Sequence, residues 1–286
     1  MMQTKKLRQL LEEPGILRAP GAFDAWSARL VEKAGFPVVY MTGYGASASV
    51  LGQPDIGLMT MSEMVKQAGN MASAVEVPFI ADGDTGYGGV LNVIRTVREF
   101  ERAGVAGLQL EDQVFPKRCG HMEGKQVVPV EEMTAKIRAA VYARKSDDFV
   151  IIARTDARAV TGLDDALLRA HAYAEAGADA LFVEAPQSVE EMKKIASEFT
   201  LPLVANMVEK GKTPLLPARE LEQLGYKIAI YPVTTLYAAT RAMMKVLKNL
   251  QEEAAPDSLL EDLVGFEEFN ALIGVEEMRL LEKSFT

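Results

Sequence analysis

One phrase recurs along this chain and restricts the folds that it can adopt. A helix-like stretch is followed by a glycine and then by a short apolar run, as in "EKAGFPVVYMTG" from Glu32, "ERAGVAGLQLED" from Glu101, "AEAGADALFVEA" from Ala174 and, more weakly, "EQLGYKIAIYP" from Glu222. Glycine can end a helix in the left-handed conformation, and the runs that follow are too short for helices. They are also too continuously apolar for strands with one face in water, so the pattern predicts buried parallel strands.

Eight apolar runs of this kind lie along the chain, with longer amphipathic stretches between most of them. Besides the four runs above, the candidates are "ILRAPG" at 16, "VPFIADGD" at 77, "FVIIARTD" at 149 and "LPLVANM" at 201. Helix patterns cover 61–75, 91–103, 130–143, 163–176, 189–199 and 236–253. This alternation predicts a (β/α)8 barrel. A doubly wound open sheet is the alternative, but the G-x-G-x-x-G fingerprint after a first strand is missing.

The chain length fits one such barrel, and no Pro/Ser-rich or low-complexity linker divides it. We therefore predict a single barrel domain over 1–286, with 251–286 as a C-terminal helical extension. That extension is more than a barrel needs, so we expect it to dock on a partner subunit.

The charge and the cysteine count exclude several classes of protein. Lys and Arg number 31 against 40 Asp and Glu, which gives a formal charge of -9. Nucleic acids and anionic membranes attract basic surfaces, so neither is an expected partner. The single cysteine excludes an intrachain disulfide and a multi-cysteine metal site. No apolar run approaches the roughly 18 residues of a membrane helix. These features predict a cytoplasmic protein that acts on a small molecule.

Polar or ionisable side chains follow nearly every predicted strand. Because a barrel gathers its chemistry at the carboxyl ends of its strands, these side chains are expected to converge on one mouth. Taken singly, a strand-end Asp or Asn is more often a helix cap or a turn former. The set as a whole favours a functional site. It comprises Thr42, Gly43, Asp82, Asp84, Glu111, Asp112, Arg154, Asp156, Glu184, Asn206 and Tyr231.

Asp82, Asp84 and Glu111 stand out within this set. The two aspartates flank one glycine, so in an extended chain both face the mouth. Three hard oxygen ligands without a nearby histidine suit Mg2+ or Mn2+ better than Zn2+. A stack of Asx turns is the structural alternative. Arg154 is interpreted as an anion clamp, or as the partner of Glu184 or Asp156 in a structural ion pair.

Segment 115–129, "FPKRCGHMEGKQVVP", holds the only cysteine and one of the two histidines. A lone cysteine is more often a small buried apolar residue than a reagent. Cys119, however, has Lys117, Arg118 and His121 as neighbours, and such cations are expected to lower a thiol's pKa. The thiol is interpreted as a nucleophile or as a proton donor to a carbanion. His171, within a helix pattern, is expected to be structural.

Four motifs together resemble the lyase branch of the isocitrate lyase and phosphoenolpyruvate mutase superfamily. They are "KRCGH" at 117–121, "ADGDTGYG" at 81–88, "LEDQ" at 110–113 and "ARTDA" at 153–157. The similarity runs from about Gly15 to Lys248. It implies a barrel whose last helix is exchanged between subunits, so that a dimer of helix-swapped dimers forms a homotetramer.

The resemblance also implies roles for individual residues. Mg2+ or Mn2+ would be held by Asp82, Asp84 and Glu111, and segment 115–129 would close over the substrate. The catalytic residues would be Cys119, Lys117, His121, Arg154 and Glu111. The substrate would be bound by Thr42, Gly43, Tyr44, Asp55, Gly120, Arg154, Phe182, Glu184, Asn206 and Tyr237.

The implied reaction cleaves the C2–C3 bond of a 2-hydroxy di- or tricarboxylate. An α-oxo acid such as pyruvate and a second carboxylate are released, with Cys119 as the proton donor. Phe182 stands where isocitrate lyases have tryptophan, which favours a methyl-bearing substrate. Tyr237 replaces an arginine of methylisocitrate lyases, which favours 2,3-dimethylmalate or a related 2-alkylmalate. The alternatives are 2-methylisocitrate cleavage, phosphonate mutase chemistry, and hydrolysis or decarboxylation of oxaloacetate.

Overall fold

The computed structural model describes residues 2–252, 260 and 263–286, and eight parallel strands form its centre. Each strand is buried and short, as expected for a sheet covered on both faces. The strands are β1 Leu17–Ala22, β2 Val39–Met41, β3 Phe79–Asp82, β4 Gly107–Glu111, β5 Val150–Thr155, β6 Ala180–Val183, β7 Val204–Asn206 and β8 Ile228–Tyr231.

The strand order is that of a barrel. The hydrogen-bonded series runs β6-β5-β4-β3-β2-β1-β8-β7, so the first and eighth strands are neighbours. An isolated parallel bridge between Leu181 and Leu203 joins the two ends of the series. The backbone N–H of Leu181 donates to the carbonyl of Pro202 at 3.0 Å across this seam. The (β/α)8 fold predicted from the sequence is confirmed.

Helices follow most of the strands, and a 3-10 turn, Ala157–Ala159, follows β5. In chain order they are α1 Met2–Glu12, α2 Ala25–Lys33, α3 Gly43–Leu51, α4 Met61–Ala72, α5 Val90–Arg102, α6 Val130–Ala143, α7 Leu163–Glu175, α8 Val189–Glu198, α9 Ala218–Leu224, α10 Thr234–Gln251, α11 Phe266–Ile273 and α12 Val275–Lys283. No helix among these described residues is long and apolar enough to cross a membrane.

Two clusters of buried side chains stabilise the barrel. The inner cluster includes Tyr40, Ile80, Ile152 and Phe182, which come from four different strands. Leu7 of α1 is fully buried in the same cluster and lies against Gly107 at the start of β4, so α1 packs on the end of the barrel where the strands begin. The outer cluster contains the other strand faces and the apolar faces of the surrounding helices. The alternation of the strands therefore sends every second side chain inward.

The chain divides into two compact units, Met1–Leu236 and Tyr237–Thr286. The first unit contains all eight strands. The second contains most of α10, together with α11 and α12. The single domain with an extension at 251–286, and the exchange of a helix between subunits, stay predictions.

The predicted helices agree with the observed ones within a few residues. The pattern over 130–143 corresponds to α6 at both ends, and the pattern over 61–75 extends three residues beyond α4. The sequence analysis missed α3, which starts immediately after β2. Its sequence, "GYGASASVL", has no charged residue and little amphipathic contrast, so it lacks the usual helix periodicity.

Gly21 of β1 provides a test of how closely the barrel is packed. A Cβ atom at this position would lie 2.3 Å from the backbone oxygen of Pro232, which follows β8. We expect Gly21→Ala to lower the free energy of unfolding by about 1–3 kcal/mol, because backbone cannot move aside cheaply. Urea denaturation followed by circular dichroism measures the change.

Gly69→Ala is the matched control. Gly69 lies inside α4, and a Cβ there would make an ordinary contact of 3.6 Å with the Cβ of Ala103. This substitution should raise stability by about 0.5–1 kcal/mol, because alanine favours a helix interior. Equal stability of the two variants would contradict the close packing at Gly21.

Candidate active site

The barrel mouth brings together most of the residues that the sequence analysis selected. Asp82 ends β3, Glu111 ends β4 and Asn206 ends β7, while Arg154 lies one residue before the end of β5. Together with Glu184, which follows β6, all of these side chains are buried. Their clustering follows from the parallel sheet, which directs the carboxyl ends of its strands to one side.

The segment Asp82-Gly83-Asp84 turns sharply at the end of β3. Asp84 has a φ of 47°, in the left-handed region, so the chain is not extended there as the sequence analysis assumed. The backbone N–H of Asp84 donates to Oδ1 of Asp82 at 3.0 Å, which is an Asx turn. A Cβ on Gly83 would lie 2.8 Å from the carbonyl oxygen of Gln109, so glycine permits the close approach to β4.

Lys117 neutralises the carboxylates beside this turn. Its ammonium nitrogen lies 2.8 Å from Oδ1 of Asp84 and 2.6 Å from Oδ1 of Asp55. Burial lowers the pKa of Lys117, but Asp84 and Asp55 outweigh this effect and raise the pKa well above its usual value. Burial raises the pKa of Asp84 to about 7, although Lys117 opposes the shift. A fully charged lysine therefore faces two acids.

Arg154 is surrounded by three carboxylates. Its Nε lies 2.9 Å from Oδ2 of Asp156 and 3.4 Å from Oε2 of Glu111. Its Nη2 donates to Oδ1 of Asp156 at 3.1 Å and lies 4.0 Å from Oε2 of Glu184. The guanidinium carbon is 5.1 Å from the ring centroid of Phe182. The ion pairs that the sequence analysis offered as an alternative are thus present, and they also hold the guanidinium rigidly in the mouth.

The carboxylate of Glu184 contacts two other predicted site residues, Asn206 and His121. The side-chain amide of Asn206 donates to both of its oxygens at 3.2 Å. Nε2 of His121 lies 3.2 Å from Oε1 of the same carboxylate. The other ring nitrogen of His121, Nδ1, accepts from the backbone N–H of Lys212 at 3.1 Å. Burial lowers the pKa of His121 while Glu184 opposes the shift. His121 therefore joins the segment after β7 to the segment that carries Cys119.

The cysteine-bearing segment lies against the site. The backbone N–H of Cys119 donates to the carbonyl of Asp55 at 3.2 Å. A Cβ on Gly120 would lie 2.4 Å from Nη2 of Arg154 and 2.5 Å from Oε1 of Glu184. Only a glycine can follow Cys119 at this approach, so the segment and the Arg154 cluster fit each other closely.

Cys119 differs from the expectation in its acidity. Burial raises the pKa of its thiol to about 11, and the neighbouring N–H of His121 and the charge of Arg154 offset only part of that effect. The prediction that nearby cations lower this pKa was wrong. Lys117 is occupied by two carboxylates, so its charge is already compensated. The thiol is consequently held as S–H, which suits a proton donor better than a nucleophile.

The donor set in the mouth fits a hard divalent cation. Asp82, Asp84 and Glu111 supply carboxylate oxygens, and Oε1 of Glu111 is buried without a hydrogen-bond partner. A Cβ on Gly43 would lie 2.6 Å from Oδ2 of Asp82, so glycine leaves room beside that oxygen. Within residues 2–252, 260 and 263–286, no three His, Cys, Asp or Glu side chains are already grouped around one point. Lys117 and Arg154 draw two of the acids toward themselves instead.

The N-terminus of α3 is a second feature that suits an anion. Thr42 precedes the helix, and its hydroxyl accepts from the backbone N–H of Gly45 at 3.2 Å. Gly43 and Tyr44 form the first turn, where backbone N–H groups lack partners within the helix. Such a helix start attracts carboxylates and phosphates. The structure thus gives a physical reason for the predicted role of residues 42–44.

Comparison with known proteins identifies the family. The sequence model of phosphoenolpyruvate phosphomutase matches residues 7–251. The chain belongs to the phosphoenolpyruvate phosphomutase family. A 2,3-dimethylmalate lyase of Eubacterium barkeri is 52% identical over 285 residues, which cover 100% of this chain and 99% of the relative. A 2-methylisocitrate lyase of Halalkalibacterium halodurans is 44% identical over 279 residues, covering 98% and 92%.

Solved structures of family members agree with this assignment. The structure of a 2,3-dimethylmalate lyase superposes with a TM-score of 0.93 at 38% identity, covering 99% of this chain and 95% of that one. A phosphonopyruvate hydrolase in complex with oxalate and Mg2+ gives a TM-score of 0.89 at 32% identity, with 99% of both chains covered. The superfamily recognised from the four motifs is confirmed, and its members are metal-dependent enzymes.

Three other residues of the sequence analysis differ in burial and location within this phosphomutase-family protein. Phe182 is buried against Arg154, at the base of the mouth. Tyr237 belongs to the second compact unit and is 44% exposed. Its contact with a substrate stays a prediction. His171 is on α7, where its Nε2 lies 3.4 Å from Glu198, in agreement with a structural role.

Sequence reasoning missed several polar partners beneath and beside the site. The hydroxyl of Tyr40 donates to Gln109 at 3.1 Å, and Nε2 of Gln109 lies 3.4 Å from Oδ1 of Asp82. Lys125 forms an ion pair with Asp156 at 2.7 Å. The inward-facing polar residues inside apolar strands were a usable signal for Tyr40 and Gln109. The partner of Lys125, 31 residues away, had no local signal.

The high pKa of Cys119 predicts an unusual pH profile of alkylation. The rate with iodoacetamide should keep rising by about tenfold per pH unit from about pH 7 to 10, because only the thiolate reacts. A free cysteine derivative, with a pKa of about 8.5, should level off within this range. Mass spectrometry measures the labelling, and Cys119→Ser provides the unlabelled blank. A plateau below about pH 9 in the protein would contradict a raised pKa.

Proposed function

We propose that this protein is a carbon–carbon lyase. It cleaves a 2-hydroxy dicarboxylate, with 2,3-dimethylmalate or a related 2-alkylmalate favoured, into pyruvate or another α-oxo acid and a second carboxylate. The observation that carries the proposal is a thiol-bearing segment that packs directly on the guanidinium of Arg154. Cys119 has a pKa of about 11, and Gly120 leaves no room for a side chain between the segment and Arg154.

The mouth offers separate binding places for the two halves of such a substrate. The carboxylate of the α-oxo half is assigned to the start of α3, at Thr42, Gly43 and Tyr44, with Asp55 nearby. The oxygen that becomes the ketone is assigned to Arg154, whose charge and fixed orientation suit it to a growing negative charge. Glu184 and Asn206 line the opposite side, joined by two hydrogen bonds of 3.2 Å.

Mg2+, or Mn2+ in its place, is proposed as the cofactor. Asp82, Asp84 and Glu111 would hold it, partly through water, since magnesium usually keeps several of its waters. When bound, the ion supplies a Lewis acid for the carboxylate and hydroxyl of the substrate. The oxalate and Mg2+ of the phosphonopyruvate hydrolase structure support a metal in this fold. Lys117 would keep Asp55 and Asp84 compensated before the ion arrives.

The residues of this chain account for the movement of the proton. The substrate hydroxyl gives its proton to a carboxylate of the mouth, a role assigned to Glu111, whose Oε1 has no hydrogen-bond partner. C2 then becomes a carbonyl carbon and the electrons of the C2–C3 bond remain on C3. The Cys119 thiol transfers its proton to C3, and the resulting thiolate is stabilised by Arg154 and the N–H of His121. Docking of segment 115–129 excludes water from the carbanion. General acid catalysis of this kind contributes roughly 100-fold or more.

The substrate preference rests on two side chains and on the relatives. Phe182 beside Arg154 is smaller than tryptophan, which favours a substrate with a methyl group at C2. Tyr237 supplies no cation for a third carboxylate, which favours a malate over a methylisocitrate. The 52% identity to a 2,3-dimethylmalate lyase supports 2,3-dimethylmalate as the substrate. The 44% identity to a 2-methylisocitrate lyase supports 2-methylisocitrate as the alternative substrate.

The enzyme is further proposed to act in the cytoplasm as a homotetramer of helix-swapped dimers. The second compact unit supports a protein partner, because its helices expose many large apolar side chains. The exposed residues include Met243, Met244, Leu247, Leu250, Phe266, Met278, Leu280 and Leu281.

A substrate panel tests the proposed reaction. The protein is incubated with 2,3-dimethylmalate, other 2-alkylmalates, 2-methylisocitrate, isocitrate, oxaloacetate and phosphonopyruvate in the presence of Mg2+. Pyruvate is coupled to lactate dehydrogenase, and the other products are identified by mass spectrometry. We expect kcat/KM for 2,3-dimethylmalate to exceed that for 2-methylisocitrate by about tenfold or more, because a third carboxylate lacks a partner. EDTA should stop turnover and added Mg2+ should restore it.

Other outcomes of the panel contradict specific parts of the proposal. A preference for 2-methylisocitrate would overturn the role given to Tyr237. Turnover that is insensitive to EDTA would overturn the metal assignment. Turnover of phosphonopyruvate or oxaloacetate alone would replace the lyase with a mutase or a hydrolase.

Replacement of the thiol tests the proton donor directly. Cys119→Ser should lower kcat by about 100-fold or more, because a hydroxyl is a much weaker acid at the same position. Binding of Mg2+ and oxalate, measured by calorimetry, should change little, since the thiol is not assigned to the anion seat. A variant that retains at least half of the wild-type turnover would show that the thiol gives no essential proton.

A further inference from the structure

Lys125 is a buried cation beside the residues of the proposed reaction. Its side chain is 2% exposed, although it lies in the segment between β4 and α6. A buried ammonium is costly unless it is paired and hydrogen-bonded. Nζ of Lys125 donates to Oδ1 of Asp156 at 2.7 Å and also donates to the backbone carbonyl of Gly120. The lysine thus has two partners of different kinds.

Each partner of Lys125 leads to a residue of the proposed reaction. Gly120 is bonded covalently to Cys119, so fixing its carbonyl fixes the backbone that carries the thiol. Asp156 receives two hydrogen bonds from Arg154, at 2.9 and 3.1 Å. The backbone N–H of Asp156 donates to Oδ1 of Asp112 at 2.9 Å, which anchors this aspartate to the barrel. One ammonium group therefore joins the segment of the proton donor to the strand of the anion clamp.

Lys125 also changes the charge balance around Arg154. Glu111, Asp156 and Glu184 all lie within 4.0 Å of its guanidinium, so one cation faces three acids. The ammonium of Lys125 is a second cation on Asp156, and it satisfies part of that carboxylate. Arg154 consequently retains more of its positive charge for an incoming oxyanion.

We propose that Lys125 is a positioning residue: its ammonium holds the Cys119 segment in the docked position and offsets Asp156, so that thiol and guanidinium face the substrate together. This role rests on the proposed lyase function. The two partners of the ammonium belong to different parts of the site, Gly120 to the Cys119 segment and Asp156 to the end of β5. The ammonium can therefore contact both of them only while the segment is docked.

Lys125→Met tests this role while keeping most of the side-chain volume. Lys136→Met is the matched control, because Lys136 is also buried but contacts neither Gly120 nor Asp156: it lies 3.3 Å from Glu132 and 3.5 Å from the carbonyl of Thr85. Two quantities are measured for the full chain. The first is the rate of Cys119 alkylation by iodoacetamide, with and without Mg2+ and oxalate. The second is kcat and KM for the preferred substrate of the panel.

The expected results separate positioning from mere stability. In Lys125→Met, alkylation should be at least about fivefold faster, since a released segment exposes and ionises the thiol more readily. The kcat should fall by about tenfold or more with KM changed less than about threefold, because Cys119 acts after binding. Lys136→Met should match the wild type in both quantities. Lys125→Gln, which keeps one hydrogen bond without a charge, should be intermediate and serves if Lys125→Met does not fold.

Each contrary result overturns a defined part of the proposal. Unchanged alkylation would show that Lys125 does not hold the segment. Faster alkylation with unchanged kcat would show that holding it does not matter for the reaction. Equal effects in Lys136→Met would reduce the role of Lys125 to general stability. If the wild type cleaves no substrate of the panel, the lyase proposal fails, while the alkylation rates still decide whether Lys125 holds the segment.

Discussion

Charge compensation in the barrel mouth is the constraint on which the site depends. Carboxylates from four strands are buried there, and isolated buried charges are not tolerated in a protein. Three cations compensate them in part. Lys117 and Arg154 each contact acids from different segments, and Lys125 contacts Asp156. The acids still outnumber these cations. Glu111, with one oxygen lacking a partner and a pKa that burial raises, marks where positive charge is missing. A divalent cation would offset most of this excess of negative charge, which is the physical argument for the proposed Mg2+.

Burial explains both the character of Cys119 and the error in the expectation about it. The sequence places cations on either side of the thiol, and cations favour a thiolate. In the folded protein, however, Lys117 is committed to two carboxylates, the guanidinium of Arg118 donates to the carbonyl of Glu123, and the partly buried thiol loses much of its contact with water. Its pKa therefore rises to about 11. A raised pKa disfavours the thiolate that a nucleophile needs. It also keeps the proton on the sulfur, which a proton donor needs. It also shows why neighbours in sequence are a poor guide to acidity.

The sequence could predict the barrel because its signals are local. Continuous apolar runs that follow a glycine identified strands, and amphipathic stretches identified helices such as α6. The residues of the mouth were predictable because parallel strands direct their carboxyl ends to one side. The left-handed turn at Asp84, the helix α3 and the pair of Lys125 with Asp156 were not predictable. Each depends on contacts between distant segments or on a backbone conformation that local composition does not encode. The boundaries of the domain and the role of Tyr237 depend on a second unit, and they stay predictions.

The order of the strands has a consequence for how the chain folds. β1 pairs with β8 from Leu17 to Pro20 against Ile228 to Tyr231, and Thr235 donates to the carbonyl of Gly21 across the same junction. β1 can therefore pair with β8 only after more than 200 further residues have been synthesised. Until then its edge is unpaired, and unpaired strand edges favour association with other chains. A nascent chain released early from the ribosome would lack the last strands of the barrel, and chaperones would bind it in that open form.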